Sequence, residues 1–133
     1  EIPEGRVGHS ACRMGKNMII FGGEKLYNTH LKVRECLNDV RMFSAGKLCK
    51  LTLKGIDKYE WTSLKTTGVF VAQRRNHVGV AVGKHLVVHG GVDSFGNYLN
   101  DLKVLNLSNR FLIISNLFSY EKMVLTSRSK SVF

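Results

Sequence analysis

The sequence predicts an all-β fold made of two similar units, each a sheet of four short antiparallel strands. Three observations lead to this prediction: the chain repeats itself, apolar and polar residues alternate in short runs, and glycine-containing turns separate those runs. The sequence shows no amphipathic helix of useful length, and its single proline, Pro3, stands near the start of the chain.

The repeat is found by sliding the chain along itself by 68 residues. The segments 6–23 (RVGHSACRMGKNMIIFGG) and 74–91 (RRNHVGVAVGKHLVVHGG) then align without a gap, with 6 identities in 18 positions. Other aligned positions carry different residues of the same apolar class, as where Ile19 aligns with Val87. A match of this length and order predicts two copies of one supersecondary unit rather than a single hairpin.

A second match follows the double glycine of each copy. LNDV (37–40) corresponds to LNDL (99–102), and between the double glycine and the Asn-Asp pair lie 14 residues in the first copy and 8 in the second. Such differences cost little in surface loops. We therefore expect a first repeat over 1–67 with insertions at 24–36 and 44–58, a second repeat over 68–118, and a basic flexible tail over 119–133.

Each copy is predicted to contain four strands. HSACRM and HVGVAV form the first, MIIF and LVVH the second, and DVRMF and DLKVLNL the third, because their apolar, β-branched and alternating residues favour sheet. The Gly-Lys pairs at Gly15 and Gly83 suit tight hairpin turns. WTSL is the short fourth strand of the first copy, and Phe111 is the nearest counterpart of Trp61. Because so small a sheet cannot cover both its faces, we expect radial packing of several sheets.

The ordered pattern R-x-x-H, G-K-x-[ML]-[IV]-[IV]-x-G-G, L-N-D-[VL] and W-x-x-L resembles the kelch repeat. The resemblance covers residues 1 to about 107, after which the pattern fades. It implies blades of a kelch-type β-propeller, in the Arg-x-x-His and Leu-Asn-Asp variety that is similar to multi-kelch scaffold proteins. Because a closed propeller needs about four to eight blades, it also implies either a fragment of a longer multi-kelch protein or self-association.

Charge and cysteine content restrict the classes of function. The 133 residues carry a formal net charge of +10, yet Arg74-Arg75 is the longest run of adjacent basic residues, so a compact nucleic-acid-binding block is not expected. Cys12, Cys36 and Cys49 show no CxxC spacing, so neither a disulfide framework nor a zinc site is expected. No apolar run approaches the length of a membrane helix. We expect no cofactor, no membrane partner and a cytoplasmic or nuclear location.

Several motif residues are interpreted as parts of the repeated scaffold. The double glycines suit backbone turns where neighbouring sheets crowd, and the Asn-Asp pairs bond nearby backbone amides. The repeated histidines are interpreted as packing contacts, and the tryptophan as a large side chain filling the core between sheets. Phosphate or metal binding by these residues is the rival interpretation, and each lacks its recognised pattern. The scaffold residues are Gly22, Gly23, Gly90, Gly91, Asn38, Asp39, Asn100, Asp101, His9, His77 and Trp61.

The candidate partner-binding residues lie in loops. Loops 24–36 and 92–98 differ most in length between the copies, and they carry aromatic and charged side chains typical of recognition surfaces. Arg6 and Arg74 precede the first strand of each copy and suit carboxylate recognition. The alternative for both is an intramolecular salt bridge between blades, with Asp39 or Asp101. The candidate set is Arg6, Arg74, Arg75, Tyr27, Arg34, Phe95 and Tyr98.

These features favour a non-catalytic protein-interaction module that presents loops to a protein partner. A partner with an acidic surface matches the arginines and the positive charge. One alternative is a piece of a propeller enzyme similar to galactose oxidase, although no residues here can be matched to the copper ligands of that family. The other alternative is a basic protein that associates with nucleic acid, although the chain lacks a recognised reading motif.

Overall fold

Short strands joined by tight turns make up the regular structure of the chain. The computed structural model describes residues 2–27, 29–30, 34–45, 59–68, 70–108 and 111–116. Within this part, no helix has the length and apolar character needed to cross a membrane. Ten strands lie in these ranges: β1 (Arg6–Val7), β2 (Ser10–Met14), β3 (Asn17–Phe21), β4 (Glu24–Lys25), β5 (Val40–Ala45), β6 (Tyr59–Gly68), β7 (Val78–Val82), β8 (His85–His89), β9 (Leu102–Asn106) and β10 (Phe111–Asn116).

The strands form two four-stranded antiparallel sheets, one for each repeat. The first sheet has the order β2-β3-β5-β6, and the second has the order β7-β8-β9-β10. Their registers are equivalent, since Cys12 pairs with Ile19 in the first and Val80 pairs with Val87 in the second. The prediction of two four-stranded, blade-like sheets is therefore confirmed.

A parallel ladder joins the two sheets, and the sequence pattern did not predict it. β6 and β10 pair from Lys65 with Phe111 to Gly68 with Ile114, which makes one eight-stranded sheet. β6 is also longer than the predicted WTSL, at 10 residues. Its first part pairs with β5 and its last part with β10, so its length is set by two successive neighbours. β1 and β4 form a separate two-stranded ladder.

Parts of the predicted organisation lie outside the described residues. They include Cys49, most of the second insertion and the predicted tail. The segments concerned are 46–58 and 117–133.

The hydrophobic core lies between the two sheets. Ile19 and Phe21 are two residues apart on β3, so both face the second sheet. Leu86 and Val88 face them from β8 in the same way. Burying a side chain of this size contributes roughly 1.5–3 kcal/mol, so the two repeats stabilise each other. The core cluster consists of Ile19, Phe21, Val40, Val71, Leu86, Val88 and Leu105.

Trp61 does not fill this core. It pairs with Phe43, which pairs with Met18, so all three lie on the face of the first sheet that points away from the second. The Phe43 ring lies 5.1 Å from the Trp61 ring and stacks on Tyr59 at 5.9 Å between centroids. The expected core side chain between sheets is thus corrected to a member of an outer aromatic cluster. Successive side chains of a strand point to opposite faces of the sheet, and the register of Trp61 places it on the outer face.

Candidate functional site

The loops that follow β3 and β8 meet in one surface. The N–H groups of Arg75 and Val92 each donate to the other's carbonyl, at 3.0 and 2.9 Å. The Cys36 N–H donates to Ser94 Oγ at 3.2 Å, which ties the loop of the first repeat to that of the second. The two variable loops therefore form one continuous surface. We call it the loop face, comprising residues 24–27, 34–36, 75 and 92–98.

The arginine that enters each repeat is buried in an ion pair within that repeat. Arg74 Nη1 and Nη2 donate to the two carboxylate oxygens of Asp101, at 2.7 and 2.9 Å. The same guanidinium also donates to the Gly90 carbonyl at 3.0 Å and to the Ala72 carbonyl at 3.1 Å. In the first repeat, Nη1 and Nη2 of Arg6 donate to Asp39 at 2.6 and 3.1 Å. Each guanidinium thus links the start of its repeat to the start of the third strand of that repeat.

These ion pairs correct the expectation that Arg6 and Arg74 contact a partner, and each pair lies within one repeat rather than between blades. The side chain of Arg74 is 0% exposed and that of Arg6 is 5% exposed, so neither guanidinium presents a surface. The hydrogen bonds from Arg74 hold the pKa of Asp101 below its usual range. Burial opposes ionisation of Asp39, but hydrogen bonds from Arg6 and Arg41 outweigh it and lower the pKa of Asp39. Both arginines are therefore structural.

The first double glycine and Asn38 lie where the two repeats meet. Gly22 has φ of 62°, and a Cβ added to it would lie 2.8 Å from the Arg74 carbonyl oxygen. Asn38 Nδ2 donates to the Val71 carbonyl at 2.9 Å, so it fixes the connection between the sheets. Gly90, Gly91 and Asn100 stand at the equivalent positions of the second repeat.

A buried carboxylate organises the charged part of the loop face. Glu24, on β4, is buried; Arg34 Nη1 donates to its Oε1 at 2.9 Å, and Arg75 Nε lies 3.1 Å from its Oε2. The guanidinium carbon of Arg34 lies 5.8 Å from the centre of the Tyr27 ring, a cation–π contact. Arg34 is mostly exposed and Arg75 partly so. The fold thus gathers Tyr27, Arg34 and Arg75 around one anchor while leaving them accessible.

A tight turn presents two further aromatic side chains. Asp93 Oδ1 accepts from the N–H groups of Phe95 and Asn97 at 2.8 and 2.9 Å, and Asn97 Nδ2 donates to Oδ2 at 3.0 Å. Hydrogen bonds from Asn97 lower the pKa of Asp93. Phe95 and Tyr98 are each 90% exposed. The turn is held by its own polar groups, so both rings are displayed without packing against the rest of the molecule.

The two repeated histidines occupy different environments. His77 is buried at the junction of the repeats, where its Nε2 lies 2.8 Å from Ser10 Oγ and its ring meets the Phe21 ring edge-on at 5.2 Å. His9 is exposed in the first repeat. The equivalent positions differ because only the second repeat has another repeat packed against this side.

Replacing His77 with glutamine is expected to make the fold less sensitive to acid. Burial, together with the charge of Arg74, lowers the pKa of His77 to about 4, whereas an unfolded histidine titrates near about 6.5. Between these values the unfolded state binds the proton more readily. Wild-type stability is therefore fully present above about pH 6.5 and falls as the pH drops toward about 4. Glutamine keeps a hydrogen-bonding group near Ser10 and does not titrate.

Urea unfolding at a series of pH values measures this effect. Between about pH 7 and about pH 4.5 we expect the wild type to lose on the order of 1–3 kcal/mol more stability than His77→Gln. His85→Gln changes an exposed histidine and should behave like the wild type. Equal losses in the wild type and in His77→Gln would show that His77 does not carry the acid sensitivity.

Sequence reasoning missed two residues that shape the loop face, Glu24 and Asp93. Glu24 aligns with the apolar Val92 of the second repeat, so the repeat itself did not mark it. The available signal was a carboxylate placed directly after a double glycine in a basic loop. Asp93 precedes Gly96 and Asn97, a spacing typical of an Asx turn. Within the described residues, His, Cys, Asp and Glu side chains form no group of three suited to a metal ion.

Comparison with known proteins identifies the family to which this chain belongs. A family model described as the KLHDC2/KLHL20/DRC7 Kelch-repeats domain matches residues 1–122. Kelch domain-containing protein 3 is 31% identical in both Bos taurus and Homo sapiens over 99 residues, which are 73% of this chain and 22% of the relative. Rho GTPase-activating protein gacHH of Dictyostelium discoideum is 29% identical over 106 residues, 80% of this chain and 6% of the relative. The chain thus spans about a fifth or less of these relatives' lengths. A family match that extends over both repeats, on a fold of two equivalent four-stranded sheets, shows that the chain belongs to the kelch-repeat family.

Proposed function

We propose that the chain is a non-catalytic protein-interaction module whose partner docks on the loop face. The observation that carries the proposal is the internally hydrogen-bonded turn at 93–97, where Phe95 within the turn and Tyr98 directly after it are each 90% exposed. Membership of the kelch-repeat family supports a scaffold for protein contacts.

Rigid display makes Phe95 and Tyr98 effective anchors. A side chain whose backbone is already ordered loses less conformational entropy on binding. Aromatic side chains that enter a partner's pocket are typical hot spots, each contributing about 2 kcal/mol or more. Their exposure in the free chain leaves a large apolar area to be removed from water. The partner is therefore expected to offer an apolar pocket that receives the tip of the turn.

The charged part of the loop face supports a partner with acidic groups beside that pocket. Arg34 and Arg75 are positioned by Glu24 and still reach solvent. A half-exposed guanidinium fork binds carboxylates bidentately. The net charge of +10 adds a long-range attraction that speeds encounter with an acidic surface. Arg6 and Arg74 are not part of the proposed surface.

The double variant Phe95→Ala/Tyr98→Ala is expected to lose partner binding. The wild-type chain, the double variant and His85→Ala serve as baits in a cell lysate, and the captured proteins are quantified by mass spectrometry. His85 is an exposed ring on β8 at the end away from the loop face, so His85→Ala is the matched control. A protein captured by the wild type and the control is then purified and titrated. We expect its Kd for the double variant to rise by about tenfold or more.

One outcome of the capture and titration experiment would contradict docking on the loop face. If every protein captured by the wild type is captured equally by Phe95→Ala/Tyr98→Ala, and titrates with the same Kd, the loop face is not the docking surface. Circular dichroism and thermal melting of the double variant distinguish lost binding from lost structure. Both side chains are exposed and the turn's hydrogen bonds come from other groups, so the melting temperature should be unchanged.

A further inference from the structure

Glu24 is a buried charge at a position where the other repeat has valine. Its side chain is buried to all but 3%, and Val92 is its equivalent in the second repeat. Both residues occupy the middle of the same short ladder. Each pairs with the residue that enters its repeat and with the residue that precedes the Leu-Asn-Asp motif. The ladder therefore forms without a carboxylate at this position.

Burial of this carboxylate contributes little to the stability of the ladder. Desolvation of an ionised group opposes folding, and ion pairs with solvent-exposed partners recover only part of that cost. The partners of Glu24 are of this kind, since Arg34 is 60% exposed and Arg75 is 31% exposed. Within the described residues, Glu24 Oε2 accepts no hydrogen bond, although Arg75 Nε lies 3.1 Å away. The position of Glu24 therefore indicates a role in the surface that the two arginines form.

Glu24 brings one guanidinium from each repeat to the same point. Arg34 belongs to the first repeat and donates from Nη1 to Oε1 at 2.9 Å, whereas Arg75 belongs to the second repeat and approaches Oε2. The two guanidiniums thus flank a single carboxylate. Because Glu24 is buried and both arginines reach solvent, the accessible side of the pair is the side away from Glu24. An anion that binds there is separated from the carboxylate only by the guanidiniums.

The charge of this cluster favours a ligand with one negative charge. The two guanidiniums are positive and the carboxylate of Glu24 is negative, so the cluster carries +1. Other charges of the loop face are engaged elsewhere: Lys25 and Glu35 pair at 3.1 Å, and Asp93 accepts hydrogen bonds within its own turn. A carboxylate neutralises +1. A phosphate monoester brings a second negative charge close to Glu24, which repels it.

We propose that Glu24 determines the specificity of the charged part of the loop face, where it selects a carboxylate of the partner over a phosphate monoester. The inference rests on the proposed docking of an acidic partner on this face. Glu24 acts through Arg34 and Arg75, because it orients both guanidiniums and cancels one of their two charges. It is therefore a positioning residue that also sets the charge of the site.

Two tripeptides that differ only in the central side chain test the selectivity. Both are acetylated and amidated, so Ala-Glu-Ala carries one negative charge and Ala-phosphoserine-Ala carries about two at about pH 7.5. Each is titrated into the isotope-labelled full chain, and its Kd is obtained from the NMR shifts of the backbone amides of residues 34–36 and 75. We expect the wild type to bind the glutamate peptide at least as tightly as the phosphoserine peptide.

Glu24→Gln is expected to shift the ratio of the two Kd values toward the phosphoserine peptide by about fivefold. Glutamine keeps an oxygen for Arg34 but removes the negative charge, and the gain in attraction grows with the charge of the ligand. Glu24→Val copies residue 92 and should shift the ratio in the same direction, with weaker binding of both peptides. Glu4→Gln is the matched control, because Glu4 pairs with Lys25 at 3.4 Å outside the loop face; its ratio should equal that of the wild type.

Three outcomes overturn the proposal: tighter binding of the phosphoserine peptide by the wild type, an unchanged ratio in both variants of Glu24, and no shifts at 34–36 and 75 with either peptide. Should a variant fail to fold, the order of the two wild-type Kd values decides alone. The peptides carry no large apolar side chain, so their binding is independent of the capture experiment with Phe95→Ala/Tyr98→Ala. Failure of that capture with the expected peptide ratios would reject docking on the aromatic turn and leave the selectivity of Glu24 in place.

Discussion

Replacing Asp101 with alanine is expected to destabilise the fold by about 3–5 kcal/mol. The substitution leaves the guanidinium of Arg74, which is 0% exposed, without its two carboxylate bonds of 2.7 and 2.9 Å. A buried charge without a counter-ion pays a desolvation penalty, which the remaining bonds from Arg74 to the Gly90 and Ala72 carbonyls offset only in part. Because small domains have only about 5–15 kcal/mol of stability in total, the substitution should remove a large fraction of it.

Urea unfolding of Asp101→Ala and of Arg74→Met/Asp101→Leu measures the effect. The double variant removes both charges, so its loss of stability should be smaller than the summed losses of Arg74→Met alone and Asp101→Leu alone, by about 1 kcal/mol or more. Glu35→Ala is the matched control, because Glu35 pairs with Lys25 at 3.1 Å on the surface and such pairs contribute about 0–1 kcal/mol. If Asp101→Ala lowers the free energy of unfolding no more than Glu35→Ala does, the ion pair between Arg74 and Asp101 is not a main source of the repeat's stability.

Replacing Gly22 with alanine is expected to cost about 3 kcal/mol or more. Gly22 has φ of 62°, and left-handed backbone costs about 1–2 kcal/mol for a residue with a Cβ. A Cβ at this position would also lie 2.8 Å from the Arg74 carbonyl oxygen and 3.0 Å from His77 Cε1. That carbonyl accepts the Gly23 N–H at 2.9 Å, so it cannot move away without loss of a hydrogen bond between the repeats.

Gly15→Ala separates the two contributions. Gly15 has φ of 59°, almost the same conformation, and nothing lies within 4 Å of an added Cβ. The control should cost only the conformational part, about 1–2 kcal/mol. The difference between the two free energies of unfolding then reports the crowding where the repeats meet. Similar losses for Gly22→Ala and Gly15→Ala would mean that the repeats are not packed as closely as the structure shows.

Much of the fold was predictable because its rules are local. The match of Arg6 to Arg74 and of His9 to His77 revealed the repeat, and alternation in DVRMF and DLKVLNL indicated strands. The variable loop with Phe95 and Tyr98 was also predictable, since it differs between two otherwise similar copies. By contrast, the parallel pairing of β6 with β10 joins residues that are 46 apart in the chain, and no periodicity within either strand predicts it.

The side-chain roles divide in the same way. From the sequence, Arg74 was compatible with binding either a partner or a carboxylate of the same chain. Only the structure, in which Arg74 is buried against Asp101, distinguished the two. The sequence placed Trp61 in a strand, but the register with Phe43 set which face it joined.

By itself, the sequence determined the repeat, the strand content and the turn positions, because these depend on side-chain periodicity and backbone conformation over a few residues. Only the tertiary structure decided which carboxylate each arginine binds, which face of each sheet is covered and which loops meet. Those outcomes depend on packing and desolvation between residues far apart in the chain.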